Sequence, residues 1–349
     1  MSASTTAGPR ADQENPQSQG SGRRLLTVLG PFIGLALVIL LFSIPPQIRP
    51  TFLSLDNFRD VATQTVIVAL GALGMTLIII SGGIDLSVGS VLALTSVVAA
   101  LVLDGGIPDV TPAAPVHPPV LALLAAVLAG GLVGVLNGSL ITGLKVTPFI
   151  VTLGTLGIAR GVASWLARET AVNAPGAWLR DLAATSPHPQ WLLVSPGVWI
   201  ALALAVLTAV ILRATTLGRY IFAIGGNETA ARLSGLRVDA LKVAIYGVAG
   251  LFFGLGGVLQ YGRLGQGDPT VDIGRELDVI AAVVIGGASL SGGEGSVLGS
   301  VVGALIMSVL RNGSQQMGWP AYVQQIIIGV VIIAAVALDR LRHAAPDAK

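Results

Sequence analysis

The chain has 349 residues, of which 53% are hydrophobic and 11% charged, with a mean hydropathy of +0.81. That balance excludes an ordinary water-soluble domain, and a formal charge of +2 spread over separate loops excludes a nucleic-acid-binding surface. With no cysteine, disulfides, thiol nucleophiles and Cys-based metal sites are excluded as well.

Residues 1–22 are rich in Ser, Gln, Gly and Thr without apolar periodicity, and are expected to form a disordered tail. Arg23 and Arg24 precede the uncharged run Leu25–Ile44, which is too long for a signal-peptide core and reads as an uncleaved first span. Further apolar runs lie near 61–80, 84–103, 119–142, 146–167, 197–212, 243–260, 276–291, 294–310 and 320–338. The expectation is an all-α fold, a polytopic transmembrane bundle of about ten helices with a membrane domain over 23–342 and a short tail at 343–349. Gly292, Gly293 and Glu294 interrupt the region 276–310, which reads either as two full spans or as one span and a re-entrant piece.

An inside N-terminus would put twelve basic residues on the inner side and seven on the outer, with five of the twelve between Arg213 and Lys242. By the positive-inside rule both termini are expected in the cytoplasm. The polar segment 168–196 then faces outward and 213–242 inward.

Asp85 is the only charge between Val61 and Leu103, in the stretch Ser81-Gly82-Gly83-Ile84-Asp85-Leu86-Ser87-Val88-Gly89-Ser90. A carboxylate deep in a span costs about 2.5–3.5 kcal/mol on insertion scales, so it should face a polar path or a partner. Asp85 and Ser87 are therefore candidates for a translocation path or gate, with helix capping as the competing role. A related pattern returns at Gly286-Gly287-Ala288-Ser289 leading to Gly295-Ser296-Val297-Leu298, which reads as an internal repeat. Interrupted Gly-rich segments at matching places in two halves point to a substrate route in transporters, although glycine also serves close helix packing. Glu276 and Asp278, the charges that open the next apolar run, join the path candidates. Arg160 is expected to snorkel to the interface from the span 146–167.

Leu290-Ser291-Gly292-Gly293-Glu294 is like the signature loop of ABC ATPases, but it lies between apolar runs and the chain lacks the phosphate-cradling Gly-x-x-x-x-Gly-Lys-Ser/Thr loop. His117, His188 and His343 all fall outside the spans, and neither His-Glu-x-x-His nor Gly-x-Ser-x-Gly occurs. An enzyme is not expected.

The polar segment Gly218–Gly235 contains Arg219, Gly225 and Asn227, followed by Glu228, Ala230, Ala231 and Arg232. Asn227 can cap a two-turn helix with Glu228 in its first turn and Gly235 at its end. Ala230 and Ala231 are expected to offer small apolar surface to a docking partner, with Glu228 pairing at its rim.

The run from Gly74 through Ser90, the loop Gly218–Gly235 and the stretch Glu276–Gly287 together resemble the ribose-type permeases of bacterial ABC importers, and the likeness extends from about residue 25 to 342. The resemblance implies a permease subunit of the inner membrane that works as a homodimer. Its partners would be a cytoplasmic ATPase that binds ATP and Mg and a periplasmic or lipid-anchored sugar-binding protein. No cofactor is bound by the permease itself, and Gly218–Gly235 would be the coupling segment that meets the ATPase. Ribose, other pentoses and galactose are all carried within the family. A secondary transporter would also accommodate the repeat and Asp85, but it calls for paired intramembrane carboxylates and no docking helix.

Overall fold

A computed structural model describes residues 16–106, 115–175, 178–187 and 189–343. The chain is helical almost throughout. In order it forms α1 (Pro16–Ser43), α2 (Arg49–Phe52), α3 (Leu55–Ile80), α4 (Val88–Asp104), α5 (Pro119–Leu144), α6 (Pro148–Leu166), α7 (Trp178–Asp181), α8 (Pro196–Ala214), α9 (Thr216–Gly226), α10 (Glu228–Leu233), α11 (Val238–Leu264), α12 (Arg275–Ile285), α13 (Val297–Gln316) and α14 (Ala321–His343). Two dipeptide strands, β1 (Val172–Asn173) and β2 (Gln266–Gly267), pair antiparallel.

Among the described residues six helices, α3, α5, α6, α8, α11 and α13, are long and apolar enough to cross a bilayer. Shorter apolar helical stretches cover Leu29–Ser43, Val88–Asp104 and Ala321–Ala334. Helix α1 reaches back to Pro16, into the stretch expected to be disordered, while residues 1–15 and 344–349 of the expected tails lie outside the described residues.

Helix α3 is enclosed. Its most apolar window is wholly buried within the chain, as expected for a helix that is hydrophobic all round. Ser54 caps its start by accepting from the Asn57 N–H at 3.1 Å. It ends in a Schellman turn, in which the Gly83 N–H donates to the Ile78 carbonyl and that of Gly82 to Ile79, both at 2.9 Å. The turn places Gly82 at φ +82°, where a side chain is strained. The apolar run expected at 84–103 is therefore shorter as a helix, because α4 starts only at Val88.

The region 276–310 resolves into unequal pieces. Helix α12 has 11 residues, about 17 Å of rise and too little to cross a core of about 30 Å. A non-helical stretch, 286–296, then leads into the 20-residue α13.

Helices α5 and α11 lie backbone to backbone. A Cβ at Gly130, Gly134 or Gly138 would run into the Gly250 carbonyl, the Tyr246 carbonyl or the Val243 Cα respectively. Small residues spaced by four permit this approach and supply the packing that apolar burial cannot supply in lipid.

Candidate functional site

At the first break Asp85 and Ser87 stand together, both fully buried. The Asp85 Oδ1 accepts from the Ser87 backbone N–H at 2.7 Å and from the Ser87 hydroxyl at 2.6 Å. This is an Asx turn one step ahead of α4: the N-cap position belongs to Ser87, whose side chain makes no capping bond. The Asn137 amide of α5 donates to Asp85 Oδ2 at 3.4 Å and to the Ser87 hydroxyl oxygen at 3.1 Å. The Thr155 hydroxyl of α6 donates in turn to Asn137 Oδ1 at 2.6 Å. Nearby, the Leu86 N–H donates to the Thr152 hydroxyl at 3.1 Å. The Tyr246 hydroxyl of α11 lies buried beside Gly83 with no hydrogen-bond partner among the described residues.

The break thus gains a polar lining from three other helices. Asn137, Thr155 and Tyr246 were not among the sequence candidates. A usable signal existed in Asn137, the only amide in the apolar run 119–142.

Glu276 and Asp278 do not join Asp85 in one cluster. Glu276 packs over the first turn of α4, where its Oε2 lies 2.5 Å from the place a Cβ on Gly89 would occupy. A carboxylate there complements the positive end of the helix. Asp278 instead takes both Arg275, at 3.3 Å, and Arg311 of α13 on one oxygen, Oδ2, while Arg275 also holds Asp272 at 2.7 Å. The other Asp278 oxygen is buried without a hydrogen-bond partner among the described residues. Beside it lies a polar cavity of about 90 Å³ lined by Gln64, Arg263, Arg275, Asp278, Arg311 and Gln315.

Arg160 does not end free at the interface. Its guanidinium donates to the carbonyls of Pro269 and Val271 at 2.6 and 2.7 Å, fastening α6 to the loop before α12.

The segment Gly218–Gly235 covers α9 from its third residue onward and all of α10. Asn227 caps α10 by accepting from the Ala230 N–H at 2.9 Å. Its end is a Schellman turn, with the Gly235 N–H on the Arg232 carbonyl at 3.1 Å, that of Leu236 on Ala231 at 3.2 Å, and Gly235 at φ +86°. Glu228 pairs with Lys242 at 2.6 Å and with Arg232 at 3.2 Å, and Arg232 also holds Asp239 at 2.8 Å. Burial opposes the Glu228 charge, but these cations outweigh it and hold the carboxyl below its ordinary range.

Ala231 departs from the expectation of a docking surface. It is 5% exposed and packs with Ile224 and Val238 against the body of the chain, so it anchors α10 and offers nothing to a partner. The outward face carries Thr229, Ala230 and Leu233, the last 85% exposed. Leu233 was not a sequence candidate, because a two-turn helix is too short for a periodic pattern to tell its inner face from its outer.

Gly218 and Gly225 sit at close approaches. A Cβ on Gly218 would meet the Ile211 and Leu212 carbonyls of α8, and one on Gly225 would strike the Ile80 carbonyl of α3. Arg219 is exposed on α9 and forms no ion pair among the described residues.

The family model for the branched-chain amino acid transport system permease component matches residues 57–336. The chain is 39% identical over 325 residues to Ribose import permease protein RbsC of Escherichia coli, covering 93% of this chain and 98% of that one. To the protein of the same name in Bacillus subtilis it is 40% identical over 321 residues, 90% of this chain and 94% of the relative. To Galactose/methyl galactoside import permease protein MglC of Haemophilus influenzae it is 38% identical over 315 residues, 88% and 93% of the two chains. No solved structure matches the chain.

Proposed function

The chain belongs to the family of branched-chain amino acid transport system permease components, and from that premise we propose that it is the transmembrane subunit of a binding-protein-dependent ABC importer for a small sugar. The observation that carries this reading is α10, a capped helix of six residues with an exposed Leu233, held by Ala231 against the chain. A short stiff helix transmits a displacement that a flexible loop would absorb. A partner that hydrolyses ATP, with its Mg, would dock there, and the permease itself binds no cofactor. The relatives named for ribose and galactose import support a monosaccharide as cargo, delivered by a periplasmic or lipid-anchored binding protein.

In this reading the chain passes the inner membrane about ten times with both termini in the cytoplasm, α12 and α13 making an unequal pair at the second break. The repeat is supported by the caps of α3 and α12. Gly287 and Ala288 donate to Val284 and Val283 at 2.9 and 3.1 Å, the same two bonds that Gly82 and Gly83 make. The match pairs Gly82 with Gly287, one position off the alignment of the two Gly-Gly pairs. A homodimer is supported by Gly154, Gly157 and Gly161 on α6, where an added Cβ would meet nothing within 4 Å, leaving room for a partner helix.

Liposomes containing the chain, its ATPase and a sugar-loaded binding protein test the reading. They should accumulate labelled ribose or galactose only when ATP is supplied on the ATPase side. Uptake driven by an ion gradient with no ATPase present would replace it with a secondary transporter.

A further inference from the structure

Both helix breaks and the segment leading into α10 converge on one point, and the contacts there are made by backbone. The Gly293 N–H, in the break after α12, donates to the carbonyl of Ile80, the last residue of α3, at 2.9 Å. Gly225, two residues before the Asn227 cap, lies over this bond: an added Cβ would collide with the Ile80 carbonyl and come within 2.5 Å of the Gly293 nitrogen. A Cβ on Gly292 would sit 2.8 Å from the Gly225 carbonyl oxygen and 2.9 Å from the Gly82 Cα. Three segments far apart in sequence therefore touch at van der Waals range with no side chain between them, in contacts that only glycine permits at Gly225 and Gly292.

Side chains re-pack when pushed, whereas abutting backbones tied by a hydrogen bond have no soft degree of freedom to absorb the push. At its other side α10 is fixed to α11 through Ala231 and Val238 and through Glu228 and Lys242. We propose that Gly225 is a positioning residue of the transport cycle, clasping the α9–α10 junction to the ends of α3 and of the second break. A displacement of α10 by its partner then reaches both breaks at once. This rests on the importer reading and adds to it the route by which the partner's motion enters the membrane.

Gly225→Ala and Gly226→Ala give a matched test, because both exchange glycine for alanine near the end of the same helix but an added Cβ on Gly226 meets nothing within 4 Å. Gly225→Ala should co-purify with the ATPase at wild-type yield, yet lose at least tenfold in sugar uptake and lose the stimulation of hydrolysis by loaded binding protein. Gly226→Ala should stay within twofold of wild type in both. Uptake by Gly225→Ala within twofold of wild type would overturn the proposal. Hydrogen exchange on the unaltered complex decides independently of how the variant folds. Between nucleotide-free and ATP-bound states, segments 78–83, 222–227 and 290–295 should change protection together, and a change in 222–227 without the other two would also overturn it. If the wild-type complex itself imports no sugar with ATP, the importer reading fails instead, and the two failures are told apart by that control.

Discussion

Asn137 reaches from α5 to the Asp85 carboxylate at 3.4 Å, and the same amide group donates to the Ser87 hydroxyl oxygen at 3.1 Å. The Asx turn ahead of α4 is thereby fastened to a neighbouring helix, which a simple cap would not require.

Asp85→Asn separates the two jobs of this carboxylate. An asparagine keeps one oxygen to accept from Ser87, so the turn survives, but its amide group faces the donor of Asn137, so that bond is lost and α5 holds the turn only through the Asn137 bond to Ser87. A typical hydrogen bond contributes about 0.5–1.5 kcal/mol net, so the variant should insert normally, melt at a somewhat lower temperature in detergent and import sugar several-fold more slowly. Uptake and melting both at wild-type values would assign Asp85 to the turn alone.

Leu233 and Ala231 should respond oppositely. Burying a leucine fully contributes about 1.5–3 kcal/mol, so Leu233→Ala is expected to weaken co-purification with the ATPase by tenfold or more while leaving the yield of folded permease unchanged. Ala231→Arg forces a charge among Ile224 and Val238 and should lower that yield itself. Pull-down and size-exclusion profiles read the two effects separately. Normal ATPase binding by Leu233→Ala would move the contact to another face of α10.

The ion cluster around Glu228 sets a pH dependence. Because the folded carboxyl lies below its ordinary value, the cluster stabilises α10 fully at pH above the ordinary value of 4.5 and loses that contribution as pH falls through the lower folded one. Hydrogen exchange over 227–236, corrected for intrinsic rates, should be unchanged between pH 8 and 5.5 and should rise only below about pH 4. A loosening already at pH 6 would show that another group controls the helix.

Much of the fold was legible in the sequence wherever a short-range rule fixes the outcome. The Asn227 cap and the Gly235 terminus of α10 follow from side-chain chemistry acting over three or four residues, and both are found where expected. The interruption near Gly292 was equally visible, because glycine and glutamate cannot continue an apolar helix cheaply. The features that stayed hidden depend on long-range packing. Nothing local to Asp278 announces that Arg311, on the next helix, will share its oxygen, and nothing in Ala231 tells which way a two-turn helix is rolled. Asp85 and Asp278 looked like one set of path residues because both are acids in apolar surroundings, whereas Asp85 lies in the turn ahead of α4 and Asp278 on α12, each with its own partners.

The enclosure of α3 bears on how the chain is made. This helix leaves the ribosome early, yet several of its polar groups find partners in segments synthesised much later: the Thr63 hydroxyl on Ser195 at 3.3 Å, and Thr76 on Ser300 at 2.7 Å. Its apolar surface is covered in large part by α11 and α13. Until those helices emerge, α3 must wait in lipid or beside the insertion machinery without these partners, so biogenesis cannot finish from the N-terminal end and the last third of the chain closes the structure around one of its first helices.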